Sequence, residues 1–170
     1  MRRTTLLLNG LAALTLLAGC MGYSLGGARP DGIERVTVNP IINATGEPAI
    51  EIQVTHAMRQ RIQFDGRLKL VNEPNQADAV MDIRLTEYEL NPIAYDSTLR
   101  TTPNIYRLRI TGTAELRSTE SGELISSSST YGESTFKFQA DLTSSKRDAL
   151  PEAAQEIAKF MLDDLIEGWE

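Results

Sequence analysis

Cys20 and His56 are the only cysteine and the only histidine in the 170-residue chain, and they limit the chemistry that it could perform. A Ser-His-Asp or Cys-His arrangement would need the single histidine as its base. His56 lies in a stretch of helical periodicity, and we interpret it as an ordinary helix residue. A single cysteine also excludes the CxxC spacing of zinc and redox sites. Cys20 is therefore the only thiol nucleophile in the chain, and the residues before it indicate its chemistry.

Paired carboxylates are the other feature that could suggest catalysis, since two acids can divide the general acid and base roles. Glu87 and Glu89 stand two apart in a predicted strand, and Asp163 and Asp164 lie near a predicted helix end. Solvation explains both pairs. The sequence contains no nucleophile elbow, phosphate loop or metal-ligand set. We predict that the protein is not an enzyme and uses no metal or diffusible cofactor.

The segment before Cys20 predicts export. Arg2 and Arg3 precede an apolar run over residues 6–17, which is followed by two small residues. A basic start, an apolar run and a small-residue cleavage site are the parts of a secretory signal peptide. The run is shorter than the stretch of about 20 apolar residues that a membrane-spanning helix needs.

The stretch Leu17-Ala18-Gly19-Cys20 resembles the lipobox of bacterial lipoproteins, which ends in a small residue followed by cysteine. The resemblance implies that the Cys20 thiol takes a diacylglyceryl group, that a peptidase cuts between Gly19 and Cys20, and that the new amine is acylated. Two or more acyl chains give stable membrane attachment. We expect residues 1–19 to be a signal peptide and the glycine-rich residues 20–32 to be a lipidated, flexible tether.

Loss of the signal peptide would make an acidic chain more acidic. The whole sequence carries a formal charge of −6, and the signal peptide carries Arg2 and Arg3 but no acid, so the mature chain carries −8. Nucleic acids need a basic face, and anionic lipid surfaces attract basic segments. We exclude nucleic acid as a partner and expect membrane contact through the lipid anchor.

Two amphipathic helices are predicted in the rest of the chain. Residues 48–64 carry apolar side chains at helical spacing, and Asp65-Gly66 ends the pattern. Residues 148–167 carry a second such stripe, with Pro151 in the first turn, where proline is tolerated. Each stripe is expected to face a common core.

Period-two alternation predicts strands over residues 33–40, 68–72, 77–90, 106–116 and 124–138. In the third strand the apolar phase changes after Thr86, as at a β-bulge, where one extra residue exchanges the two faces. The thirteen residues 91–103 are predicted to be a loop. The first two strands flank a helix and could pair in parallel, and the others would form hairpins. We predict one α+β domain over 33–170, with two helices packed on one face of a mostly antiparallel sheet.

The order of several short motifs resembles the LptE family of lipopolysaccharide-assembly lipoproteins. These motifs are Cys20-Met21-Gly22-Tyr23, where the family often has Cys-Gly-Tyr, Ala77-Asp78 before the long strand, Pro92 and Ala94 between Tyr88 and Tyr95, Tyr106 at the start of the next strand, and Arg147 before the last helix. The resemblance covers nearly the whole mature chain. It implies two helices on a sheet of about four strands.

The same resemblance implies a location and partners. The protein would be anchored on the periplasmic face of the outer membrane, inside or as a plug of an LptD-type β-barrel. There the family helps to assemble the barrel and to pass lipopolysaccharide to the outer leaflet. Met21 in place of an aspartate agrees with outer-membrane delivery by enterobacterial sorting rules. The alternative is a lipoprotein subunit of another envelope assembly complex, such as the barrel-insertion machinery.

Four arginines are candidates for contact with lipopolysaccharide or with the barrel. Their guanidinium groups match phosphate in a bidentate manner, and lipid A carries phosphates. They lie on two predicted strands and in the loop between them: Arg84, Arg100, Arg107 and Arg109. The alternative is a solvated face on which these arginines pair with Asp82 and Glu115.

Serines cover both faces of the last predicted strand, and Ser127 and Ser129 are further candidates for contact with a hydrated barrel lumen. Polar contacts and bridging water would dominate there. The alternative is a solvated edge strand, because a strand that buries neither face is typical of a sheet edge.

Overall fold

Two helices pack against a six-stranded sheet in the computed structural model, which describes residues 32–98, 101–139 and 141–167. In chain order the elements are β1 (Arg35–Val38), β2 (Ile42–Asn43), α1 (Ile50–Asp65), β3 (Lys69–Leu70), a short 3₁₀ helix (Pro74–Gln76), β4 (Ala79–Tyr95), β5 (Pro103–Ser118), β6 (Leu124–Lys137) and α2 (Leu142–Glu167). The predicted α+β class is confirmed.

The sheet is more mixed than the sequence predicts. Its order is β3-β1-β4-β5-β6, and β2 also pairs with β4. The pairings β1–β3, β1–β4 and β2–β4 are parallel, whereas β4–β5 and β5–β6 are antiparallel. The parallel pairing of the two strands around α1 is confirmed. The estimate of about four strands was low, because the short β1 and β2 both lie along β4.

The hairpin of β4 and β5 is the longest part of the sheet. β4 continues to Tyr95 and β5 begins at Pro103, so the prediction of a loop over 91–103 is wrong. Pro92 is held within the strand opposite Tyr106, next to a register shift. Proline is tolerated in a strand at such an irregularity.

Two sequence patterns within this hairpin are confirmed. The register of β4 against β5 shifts between Leu85 and Glu87, where the change of apolar phase predicts a bulge. β5 buries every second side chain, and Leu108 and Ile110 are fully inaccessible. Its alternate residues face away from the helices. The hairpin therefore presents one apolar face to the core and one polar face to the outside.

α1 forms where the apolar stripe predicts it, with its start shifted by two residues. It follows Ala49, which has a left-handed backbone with φ of 65°. It ends at Gly66, whose φ is 75° and whose N–H donates to the carbonyl of Ile62 at 3.2 Å. Glycine is favoured at such a left-handed helix end because it has no Cβ. Val54 and Met58 lie fully buried on its inner side.

α2 begins two turns earlier than predicted. The Asp141 carboxylate accepts the backbone N–H of Ser144 at 2.7 Å, which caps the helix before Leu142. That contact also lowers the pKa of Asp141. Pro151 consequently lies inside the helix and not in its first turn. Proline and aspartate both signal helix starts, and the aspartate is the one that caps this helix.

The two helices run in the same direction across the sheet. Lys146 of α2 binds Glu47 just before α1 at 2.6 Å, and Asp163 near the end of α2 accepts from Arg61 at 2.9 Å and from Arg67 at 3.1 Å. The described chain begins beside the carboxyl ends of both helices, since the Lys69 N–H donates to the carbonyl of Glu34 at 2.8 Å. One hydrophobic core lies between the helices and the sheet.

Candidate functional site

The face of the sheet opposite the helices is a polar surface that the described elements leave uncovered. The outward residues of β5 alternate with its buried ones, and none of them is fully buried. The matching residues of β4 and β6 lie beside them in antiparallel register. We call this surface the outer sheet face. It carries most of the predicted contact residues.

Arg107 and Arg109 lie together on the outer sheet face and share one acidic partner. Arg109 donates from Nε to Glu133 Oε1 at 2.6 Å, and its guanidinium carbon stands 4.3 Å from the ring centroid of Tyr131. Arg107 lies farther from Glu133, at 3.8 Å, and its side chain is 44% exposed. Of this pair, Arg107 is therefore more available to an external phosphate or carboxylate.

Glu133 determines the electrostatics of this cluster. Its hydrogen bond with Arg109 raises the pKa of that guanidinium, so Arg109 stays charged. The alternative prediction pairs the arginines with Asp82 and Glu115. That pairing was wrong, because Asp82 accepts from Asn39 at 2.8 Å and Glu115 accepts from Arg117. The register that places Arg109 opposite Glu133 could have revealed the partner, had the strand pairing been known.

The other two predicted arginines do not join this cluster. Arg84 pairs in register with Thr113, four residues along β5 from Arg109, and it lines a small surface hollow of about 170 Å³ beside Ile42. Four strand residues correspond to about 13 Å. Arg100 lies outside the residues that the structure describes, as do Gly19 and Cys20.

The serines of β6 divide into two sets with different roles. Ser126 and Ser128 are buried beneath α2. Ser126 donates to the carbonyl of Leu165 and Ser128 donates to Asp164 Oδ2, both at 2.7 Å. Ser127 and Ser129 are exposed on the outer sheet face. The strand is thus an edge whose inner side is covered by a helix, and the two predicted contact serines stay accessible.

One carboxylate holds together the end of the domain at which the described chain begins. Asp78, just before β4, accepts the backbone N–H of Arg35 at 2.8 Å and a guanidinium N–H of the same residue at 2.6 Å. These bonds lower the pKa of Asp78 to about 2. They attach β1, the strand nearest to the proposed tether, to the start of β4.

The described residues contain little that could support catalysis. His56 is exposed on α1. Asp163 and Asp164 bind arginine and serine side chains, as described above. Within 32–98, 101–139 and 141–167, no three acidic, histidine or cysteine side chains are placed to hold a metal ion. None of the helices in these ranges has the length and apolarity to cross a bilayer.

Comparison with known proteins identifies the family. The family model described as LptE, lipopolysaccharide-assembly, matches residues 33–165. The chain belongs to the LptE family. The match spans nearly the whole α+β domain, so the resemblance drawn from the motif order is confirmed. Membership connects the protein with lipopolysaccharide assembly, and it agrees with a role that is not enzymatic.

Solved structures share the fold of this LptE-family chain at low sequence identity. Protein XCC0632 from Xanthomonas campestris is 12% identical with a TM-score of 0.59, over 84% of this chain and 90% of that chain. The PelC dodecamer from Paraburkholderia phytofirmans is 17% identical with a TM-score of 0.52, over 84% of this chain and 96% of that chain. Among curated protein sequences, no significant match was found.

Proposed function

We propose that this LptE-family protein is an outer-membrane lipoprotein that acts as the plug and assembly partner of an LptD-type β-barrel. The single observation that carries the proposal is the family match over residues 33–165. The lipobox-like Leu17-Ala18-Gly19-Cys20 precedes that match by a short segment, as a lipid-anchored domain requires. In this role the protein helps to transport lipopolysaccharide and to insert it into the outer leaflet.

The anchor follows from the chemistry of Cys20. A thiol acylated after cleavage at Gly19 would hold the domain at the periplasmic face of the membrane without a spanning helix. The described chain starts at the end of the domain that Asp78 fixes to Arg35, so residues 20–31 would connect this end to the bilayer. About 20 Å is a typical span for a flexible segment of that length.

The outer sheet face supports contact with a hydrated barrel lumen and with lipopolysaccharide. It presents hydroxyl groups at Ser127 and Ser129 and guanidinium groups at Arg107 and Arg109. Polar interfaces of this kind form through direct hydrogen bonds and bridging waters. Guanidinium groups are also the usual protein ligands of phosphate, which lipid A carries.

The test is purification of the full-length chain, with an affinity tag at its carboxyl end, from outer membranes in mild detergent. We expect a large β-barrel protein to co-purify in equal amount and the mature chain to carry acyl groups. Cys20→Ala is expected to remove the acyl mass and to leave the protein outside the membrane fraction. Recovery of a different envelope assembly complex would favour the alternative role, and an unacylated mature Cys20 would contradict the anchor.

A further inference from the structure

The free edge of β6 is a long stretch of backbone without charge. β6 is the last strand in the sheet order, and residues 124–132 contain no charged side chain. Unpaired N–H and C=O groups on an edge can pair with another strand, and natural sheets usually prevent this with charges, prolines or very short edge strands. This part of β6 has none of these protections.

The direction of the edge amides follows from two hydrogen bonds. Phe138 donates its N–H inward to the carbonyl of Asn104 in β5, whereas Glu133 donates its N–H outward to the Glu156 carboxylate of α2. Successive amides of a strand alternate in direction. The N–H groups of Ser127, Ser129 and Tyr131 therefore point away from β5, as that of Glu133 does. Of these four outward N–H groups, the Glu156 carboxylate accepts only that of Glu133.

α2 forms an acidic wall along this edge. Glu156 touches Glu133 and Asp164 touches Ser128, so the residues at four-residue spacing on this side of α2 border the strand. Phe160 lies between them on the same helical side and is 37% exposed. Exposed Glu152 extends the row by one turn. The edge is thus flanked by three carboxylates and one aromatic ring, and the Lys159 ammonium group stands 5.5 Å from the centroid of that ring. Acidic groups outnumber the single cation on this side of the helix.

Antiparallel pairing with a second copy of this chain, which would put both α2 helices on one face of the joined sheet, is crowded at this edge. Gly132 brings α2 so close to β6 that an added Cβ would lie 2.3 Å from the carbonyl oxygen of Ala153. Edge-to-edge pairing would place two β6 strands about 4.8 Å apart. The two α2 helices above them would then be about as close, whereas packed helices need about 8–10 Å. An added strand that has no helix of its own avoids this clash.

We propose that the β6 edge binds one extended segment of the barrel partner as an added strand, with basic side chains facing α2. This inference rests on the proposed function, because it names how that partner is held. Backbone bonds to Ser127, Ser129 and Tyr131 would supply affinity, and the carboxylates of α2 would select basic residues on one face of the segment. The acidic mature chain agrees with a basic partner segment.

Amide hydrogen exchange tests the proposal on the full-length lipoprotein, free in detergent micelles and in its purified barrel complex. We expect the amides of Ser127, Ser129 and Tyr131 to exchange at least about tenfold more slowly in the complex. Ser126 and Ser128, whose amides point toward β5, serve as internal references and should change little. Equal rates for the edge amides in both states would overturn this inference while the proposed function stands.

A proline substitution tests the same edge by binding. Ser129→Pro removes an outward N–H and no bond to β5, and proline is tolerated on edge strands. It is expected to reduce the recovered barrel about tenfold below the level obtained with Ser129→Ala. Both variants lack the hydroxyl, and only Ser129→Ala keeps the N–H, so the difference between them isolates the backbone bond. Full recovery with a folded Ser129→Pro chain would contradict the added strand. Absence of any barrel with the unmodified protein would remove the inference and the proposed function together.

Discussion

A Cβ atom on Gly132 of β6 would stand 2.3 Å from the backbone nitrogen of Ile157 in α2. Real side chains almost never approach backbone so closely. The helix therefore rests directly on the strand, and only the absence of a side chain permits it. Because α2 also contributes fully buried side chains to the core, this contact sets the spacing between the two layers.

We expect Gly132→Ala to destabilise the domain by about 2–4 kcal/mol, because the helix must move away from the strand to admit a methyl group. Equilibrium unfolding in urea would measure the change. Gly46→Ala is the matched control, since a Cβ there meets no atom within 4 Å. Similar losses in both variants would show that the close approach at Gly132 is not the cause.

Asp78 is expected to make stability depend on pH in the acid range. Its pKa is about 2 in the folded chain against an ordinary value of 3.8, chiefly because of the hydrogen bond from Arg35. Above about pH 4 this contribution is complete, and it falls as the pH drops toward 2, because the unfolded chain binds the proton first.

The measurement is urea unfolding of the wild type and of Asp78→Asn between pH 2 and 6. We expect the variant to be less stable by about 1 kcal/mol near pH 6, since the ion pair is partly exposed. The difference should shrink as the pH approaches 2. A difference that stays constant across this range would mean that the carboxylate charge is not what attaches β1 to β4.

Arg107 should contribute more to lipopolysaccharide binding than an arginine elsewhere on the same face. Its side chain is 44% exposed and only loosely paired with Glu133. We expect Arg107→Ala to weaken binding of the full-length protein to immobilised lipopolysaccharide about tenfold, which is typical for loss of a charged hydrogen bond. Arg117→Ala, which removes an arginine paired with Glu115 at the far end of β5, should have little effect.

Two results would contradict this assignment. Equal weakening by Arg107→Ala and Arg117→Ala would indicate that lipopolysaccharide is attracted to positive charge in general and does not bind a specific site at Arg107. Unchanged affinity after Arg107→Ala would exclude this cluster from the contact, and the outer sheet face would then serve the barrel alone.

Local sequence patterns predicted the parts of the fold that depend on local rules. The alternation in β5 indicates which side of the strand faces solvent, because the other side packs on the core. The phase change after Thr86 located the bulge for the same reason. The start of α2 was missed because Pro151 and Asp141 are both helix-start signals, and the more conspicuous of the two lies inside the helix.

Features that depend on contacts between distant residues were not predictable in this way. Nothing near Gly132 in sequence indicates that Ile157 lies against it. The same holds for Glu133, which became the partner of Arg109 only through the register of two strands. Arg107 and Arg109 lie on one face, as their spacing within one strand predicts, and their contact role stays a prediction. Arg84 lies apart from them, because no local pattern gives distance across a sheet.

The 17 residues of β4 form a strand that is longer than the hydrocarbon core of a bilayer is thick. At about 3.3 Å per residue the strand measures about 50 Å, and it starts at the end that Asp78 fixes beside Arg35. The hydrocarbon part of a bilayer is about 30 Å thick. If the domain is tethered by that end at the periplasmic surface, the tip of its β4–β5 hairpin would reach through the full height of a surrounding barrel. The hairpin would then extend from the side where lipopolysaccharide enters to the side where it leaves.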